Sequence, residues 1–315
     1  MATIPQQNLL KWRKRLGLTN RGGFTAYAFV LPSIIFILIF VIFPIIGTLY
    51  YSFTSYDLMR EPRWVGLQNY SHLLDEPRFA PAVRNTVIFA FGTVPSGVVT
   101  SLLLAVLINR QIRMIYFFRA FFYMPVVSSF VSVSLIFLWL YEPQFGLLNE
   151  IAEAWGLPRG KWLKSPDTAM FAIILMSVWK NMGLNMVIYL AGLQGIPPHL
   201  YEAAEIDGAG RRAQLFRITL PLLAPTTFFV VIVYFIGALQ VFVQSFIMTG
   251  CAPGSASGAC GGPLDSTWTM VLLIYVKAFG ALKMGFASAL SFLLFLVIGI
   301  ITVINARMLR YDIGY

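Results

Sequence analysis

The chain has 315 residues, of which 58% are hydrophobic, 15% aromatic and 11% charged, with a mean hydropathy of +0.75. Ordinary soluble domains carry about 25% charged residues, so this composition excludes a water-soluble globular enzyme. The 23 Lys and Arg outnumber the 13 Asp and Glu. In so apolar a chain that excess reads as a membrane-orientation signal, and no nucleic-acid partner is expected. Two cysteines and two histidines are too few for a Cys-rich zinc site or a disulfide scaffold, and no metal site is expected.

A transmembrane helix needs about 20 apolar residues to cross the hydrocarbon layer. Six stretches qualify, at about 27–51, 86–108, 115–140, 169–193, 220–248 and 284–306, and none contains Asp or Glu. The expected fold class is therefore an all-α membrane protein with six transmembrane helices. A transmembrane domain over 27–308 lies between an N-terminal tail (1–26) and a C-terminal tail (309–315). The first stretch is too long for a signal-peptide core and is kept as a membrane anchor, with Pro32 and Pro44 expected to bend it.

Positive charge sets the orientation. Lys11, Arg13, Lys14, Arg15 and Arg21 precede the first span, and Arg110, Arg113 and Arg119 lie between the second and third. Arg211, Arg212 and Arg217 lie between the fourth and fifth, and Arg307 and Arg310 follow the sixth. The opposite loops hold fewer, so both termini are expected in the cytoplasm. Outer loops at 52–83 and 141–168 are long, rich in Trp, Pro and acidic residues, and expected to be folded. The fourth span carries the densest polar cluster: Trp179, Lys180, Asn181, Gly183, Asn185 and Tyr189. Asn181, Asn185 and Tyr189 fall at i, i+4 and i+8 on one helix face, a neutral array with an aromatic ring that suits sugar hydroxyls.

Lys180 has three accounts: a pore ligand for an anionic or polyhydroxylated solute, an ion-pair partner in another subunit, or a lysine snorkelling to the outer interface. The fifth span adds Gln240 and Gln244, four apart, with Tyr234 and Phe242 nearby. These amides suit either solute contact or hydrogen bonding between helices. Pro221 and Pro225 mark a bend at the start of that span. The external loop 250–267 holds Cys251 and Cys260, which either pair in an oxidising exterior or remain free thiols. A shorter apolar segment, 268–279, carries Lys277 and is expected to lie along the outer interface as an interfacial helix.

The chain has no engine of its own. It lacks a GxxxxGK[ST] phosphate loop, and Gly160-Lys161 has neither the leading glycine nor the hydroxyl residue. No span holds a carboxylate for ion coupling, although backbone carbonyls leave an ion-coupled carrier open. His72 and His199 lie in loops on opposite sides, and no HExxH or GxSxG pattern is present. An energising partner should dock on the cytoplasmic face, where the loop at 196–217 is large enough to receive it. Pro197 and Pro198 suit a helix start, and Glu202 and Glu205 are placed in its first turns. Ala203 and Ala204 leave a surface open to another protein's groove, and Gly208 permits a sharp turn.

The string EAAEIDGAGRRAQLFRITLP, from Glu202 to Pro221, resembles the EAA signature of binding-protein-dependent ABC importer permeases. GLQNYSHLL, Asn85-Thr86, FFYMPVVSS and LAGLQGIP extend the likeness over most of the chain. They resemble the sugar and glycerol-phosphate (maltose-type) permeases. The resemblance implies the type I ABC importer permease fold in the bacterial inner membrane. It implies four kinds of neighbour: a second related permease subunit, two cytoplasmic ATPase subunits, an extracytoplasmic solute-binding protein and membrane lipid. It places Glu202, Ala203, Ala204, Asp207, Gly208 and Ala209 in the contact with the ATPase, and implies that ATP and Mg are bound by that partner, leaving this chain without cofactor or catalysis. Gln240 and Ala238 stand where disaccharide permeases commonly carry asparagine. The function implied is import of a sugar or related polyhydroxylated solute. The alternatives are an ion-coupled sugar carrier, a passive channel, or a permease for glycerol phosphate or a glycosylated compatible solute.

Overall fold

Backbone N–H and C=O groups within hydrocarbon must be satisfied inside the segment, which leaves long apolar runs little choice but helix. The computed structural model describes residues 22–109, 114–251 and 260–312. Most of the N-terminal tail, with Lys11 to Arg21, and also Arg110, Arg113, the middle of the external loop and residues 313–315 lie outside the described residues. Helix α1 runs as Gly22–Ile37, a π-helical turn Leu38–Ile42, and Phe43–Ser52. A hairpin of β1 (Thr54–Ser55) and β2 (Arg63–Trp64) follows, then α2 (Gln68–Asp75) and α3 (Phe79–Ile108). Next come α4 (Ile115–Val127), α5 (Phe130–Leu140), α6 (Leu147–Ala154) and α7 (Pro166–Gln194). The short α8 (Pro198–Ile206) precedes α9, which runs Arg211–Gln214, Leu215–Thr219 and Leu220–Leu222. Then come α10 (Ala224–Leu239), α11 (Val243–Met248), α12 (Met270–Tyr275, continued by Val276–Gly280) and α13 (Met284–Asp312).

Among the described residues, four helices are long and apolar enough to cross a membrane, or six if each of two bent pairs makes one crossing. Two predicted spans are not single helices. The third, 115–140, breaks between α4 and α5 with a 97° bend. Ser128 and Ser129 are extended there, and the Ser129 side chain accepts the Val131 N–H as an N-cap. The fifth, 220–248, bends by 62° between α9 and α10, in line with the bend expected at Pro221 and Pro225. It then unwinds at 240–242 before α11. Hydropathy misses both breaks because the residues flanking them are apolar on either side. In α1 the helix runs through both prolines, and the π turn just before Pro44 absorbs the missing N–H.

Helices α3 and α7 form the spine of the bundle and pack through small residues, including the fully buried Ala90, Ala169 and Ala172. Hydroxyls within the spine return to their own helix: Thr93 to Phe89 O, Ser101 to Gly97 O and Ser177 to Ile173 O. In α1 only the last turns pack, against α13, and no residue of the 29–42 stretch is buried.

At one end of the bundle the hairpin, α2, α6 and α12 form a folded layer. Asn149 is fully buried there and ties the loop around α6, donating to Pro143 O and Gly160 O and accepting from Gly160 N and Trp162 Nε1. Arg159 is held by Glu150 and Glu153, each at 2.8 Å, and these carboxylates raise its pKa. Cys251 and Cys260 form a disulfide. The segment 268–279, placed by sequence along an interface, buries Trp268, Met270, Leu272, Leu273 and Val276 among Leu73, Ala82 and Leu290. Its apolar side is covered by protein instead of lipid, and Lys277 pairs with Glu76.

Candidate functional site

A cavity of about 300 Å³ lies inside the bundle where α3, α7, α10 and the start of α5 meet the unwound segment 240–242. Asn181 and Asn185 enter from α7, Tyr234 from the last turns of α10, Gln240 from its C-terminal cap, and Gln244 from α11. Thr93 and Phe130 complete the wall, and none of the lining residues is charged. Asn181 Nδ2 donates to Ser177 O at 2.9 Å. Asn185 Nδ2 and Tyr234 OH are buried without a hydrogen-bond partner among the described residues. Buried polar atoms normally have partners; the Tyr234 hydroxyl lies beside the Asn181 side chain and packs against Gly97, while the Asn185 amide is left without one. Gly97 lets the Tyr234 ring lie against α3: a Cβ there would sit 2.3 Å from the ring. A larger cavity, about 910 Å³, opens at the hairpin end and is rimmed by Arg84, Asp167 and Asp265.

The structure sorts the predicted pathway residues. Asn181, Asn185, Gln240 and Gln244 reach one cavity, although the two glutamines are not one helical turn apart, since the chain unwinds between them. Tyr189 does not join them. It is fully buried among Met186, Leu190, Leu193 and Leu223, because the face shared at i, i+4 and i+8 turns away from the cavity along α7. Gly183 is a packing residue: a Cβ there would meet Phe122 O at 2.1 Å, so glycine permits the close crossing of α4 and α7. Sequence reasoning missed Thr93 and Phe130. The signal that could have found Phe130 is the Ser128-Ser129 pair, a helix-stop and N-cap pattern inside the span taken as continuous.

Of the three accounts of Lys180, the structure excludes snorkelling. The residue is 3% exposed, so it does not snorkel, and no described carboxylate pairs with it. Its Nζ donates to Ser128 O at 2.9 Å, Pro125 O at 3.1 Å and Val126 O at 3.4 Å, and lies 4.3 Å from the centre of the Phe130 ring. The helix break supplies this site. The last carbonyls of α4 have no intrahelical donor, and the negative end of the helix dipole favours a cation.

At the other end of the bundle, α8 is tied to the rest by Leu200 and Tyr201, whose hydroxyl meets Thr219 Oγ1 at 3.0 Å. The helix closes in a Schellman turn: Gly208 N–H donates to Glu205 O at 3.0 Å and Ala209 N–H to Ala204 O at 2.8 Å. Gly208 has φ +77°, a left-handed conformation that glycine adopts without steric cost. Glu202, Ala203, Asp207 and Gly208 are exposed, while Ala204 and Ala209 turn partly inward. Of the two acidic residues expected in the first turns, neither lies in the first turn itself. The helix has only nine residues, and Glu202 and Glu205 fall in its second and last turns. Ile206, absent from the predicted set, is apolar yet 87% exposed beside them.

Residues 86–311 match the family described as binding-protein-dependent transport system inner membrane component. The chain is 32% identical over 299 residues to the probable ABC transporter permease protein YesP of Bacillus subtilis (strain 168), covering 94% of each. It is 32% identical over 312 residues to the sulfoquinovosyl glycerol transport system permease protein SmoG of Agrobacterium fabrum, covering 98% of this chain and 97% of that one. Its fold superimposes with a TM-score of 0.80, at 25% identity, on a chain from the crystal structure of a bacterial alginate ABC transporter in complex with alginate pentasaccharide-bound periplasmic protein, covering 94% of this chain and 98% of that one. A family match over most of the sequence and near full-length relatives above 30% identity agree with the bundle and its exposed α8 turn: the chain belongs to the binding-protein-dependent transport system inner membrane component family, as a multi-pass permease subunit of an ABC importer.

Proposed function

We propose that this subunit forms half of the pathway of an ATP-driven importer for an uncharged sugar or related polyhydroxylated solute. The observation that carries this reading is the cavity whose polar lining, Thr93, Asn181, Asn185, Tyr234, Gln240 and Gln244, is entirely neutral, with the Asn185 amide nitrogen unpartnered among the described residues. Neutral donors and acceptors beside aromatic rings match hydroxyl arrays, whereas a phosphate or carboxylate calls for a cation. The one lysine near the cavity is occupied by backbone carbonyls. A second, related permease supplies the other half, and a solute-binding protein delivers the solute at the hairpin end. Both termini and α8 face the cytoplasm. There Glu202, Ala203, Asp207 and Gly208, with Ile206, seat in a groove of an ATPase subunit that holds ATP and Mg. The fixed Schellman turn and the Tyr201 to Thr219 contact carry ATPase movement through α9 to the bend before α10.

Uptake of neutral and anionic oligosaccharides into proteoliposomes containing the full complex tests this. Each lost hydrogen bond to the solute is worth about 1 kcal/mol, so Asn185→Ala and Tyr234→Phe should each lower uptake of the neutral solute about fivefold at subsaturating concentration. Unchanged uptake in both variants refutes the cavity. Transport by the chain alone, driven by an ion gradient without the ATPase, refutes the importer mechanism in favour of an ion-coupled carrier.

A further inference from the structure

The buried ammonium of Lys180 is a charge that neither the neutral cavity nor the α8 turn uses. It sits at the 97° elbow between α4 and α5, where Ser128 and Ser129 leave the end of α4 without helical partners. Three carbonyls of that end converge on it, and the first residue of α5, Phe130, offers its ring face at 4.3 Å. Lys180 and Phe122, on the other side of the crossing, fix α7 against α4, since Gly183 brings the two backbones together within one turn of the lysine. One side chain on α7 thus grips both arms of the elbow. The gripped ring is also a wall of the cavity, and the next residue on α7, Asn181, lines the same cavity.

We propose that Lys180 is a positioning residue for transport: its ammonium holds the elbow and so sets where Phe130 closes the solute cavity. This rests on the reading of that cavity as part of the solute pathway. A cation suits the task because it takes several carbonyls and a ring face at once, which no neutral side chain of similar length does. Burial of the side chain, at 3% exposure, limits competition from water for its donors. The lysine acts on the solute through Phe130 and touches no solute itself.

The test uses the assembled importer in nanodiscs and proteoliposomes. Both native cysteines are engaged in a disulfide, so spin labels at Tyr116→Cys and Trp139→Cys, both exposed positions on the two arms, report the elbow. Lys180→Met should broaden and shift the distance between the labels and raise KM for the neutral solute at least fivefold. Lys180→Arg, which keeps a cation with several donors, should restore both towards the parent. An unchanged distance in the Met variant overturns the proposal, as does a shifted distance with KM intact. If the Met variant does not assemble, Phe130→Leu takes its place. It keeps the carbonyl cap on α4 but removes the ring that ties α5 to the ammonium, and should both shift the label distance and raise KM; an unaltered KM overturns the link from elbow to cavity. Failure of the pathway reading looks different: Asn185→Ala, which does not touch the elbow, would leave uptake unaffected while the label distance still responded to Lys180→Met.

Discussion

Replacement of Gly208 isolates the backbone as the quantity that matters in the α8 turn. At φ +77° a Cβ would meet nothing within 4 Å, so in this chain a side chain there costs conformational energy only. Holding an L-residue in the left-handed region costs about 1–2 kcal/mol, and the stiffer unfolded chain returns about 0.4–1 kcal/mol. The net for Gly208→Ala is about 1 kcal/mol, or roughly a fivefold loss of turns with both Schellman bonds closed. A β-branched residue should cost more, and asparagine, which tolerates this region, should cost little. The expected order of coupling, measured as solute imported per ATP hydrolysed in proteoliposomes, is Gly208, then Gly208→Asn, then Gly208→Ala, then Gly208→Val. Gly208→Pro should abolish it, because proline fixes φ near −65° and removes the N–H that meets Glu205 O. If Gly208→Asn is as defective as Gly208→Val, side-chain size against the ATPase decides and the backbone reasoning is wrong. If Gly208→Val couples normally, the turn carries no force.

Gly183→Ala should destabilise the subunit by about 1–3 kcal/mol, since its Cβ would meet the Phe122 carbonyl and backbone must shift to relieve it; a thermal midpoint in detergent that does not fall would contradict the close α4 and α7 crossing. Cleaving the disulfide by reduction, or by Cys251→Ser with Cys260→Ser, releases a loop closed over a separation of nine residues. That should cost about 2.5 kcal/mol by loop entropy, read as earlier unfolding or proteolysis at the hairpin end with helix content elsewhere intact. Equal protease resistance in the two redox states would count against a stabilising role.

The sequence by itself determined the class of the molecule and the location of its apolar stretches, and it singled out the α8 turn as the candidate docking contact. Each rests on local properties: the apolar residue count over about 20 positions, the excess of Lys and Arg at loop ends, and a contiguous signature around Glu202-Ala203-Ala204 and Asp207-Gly208-Ala209. Most of the polar lining of the candidate cavity was legible in the same way, because Asn181, Asn185, Gln240 and Gln244 are polar in segments where polarity is expensive. Tertiary structure decided the rest. Transfer of side chains to hydrocarbon is insensitive to how the backbone bends, so the breaks at 128–129 and 240–242 left no mark in hydropathy. Those breaks turn Phe130 into a cavity wall and bring both glutamines together without a shared helical turn. Tyr189 and Lys180 show the same limit. Helical spacing gives the face of a residue, but which neighbour occupies that face depends on elements 50 or more residues away, as with Lys180 and Ser128 at a separation of 52. A lysine in an apolar span is costly wherever it sits, and only the folded chain shows that the carbonyls of a broken helix meet that cost.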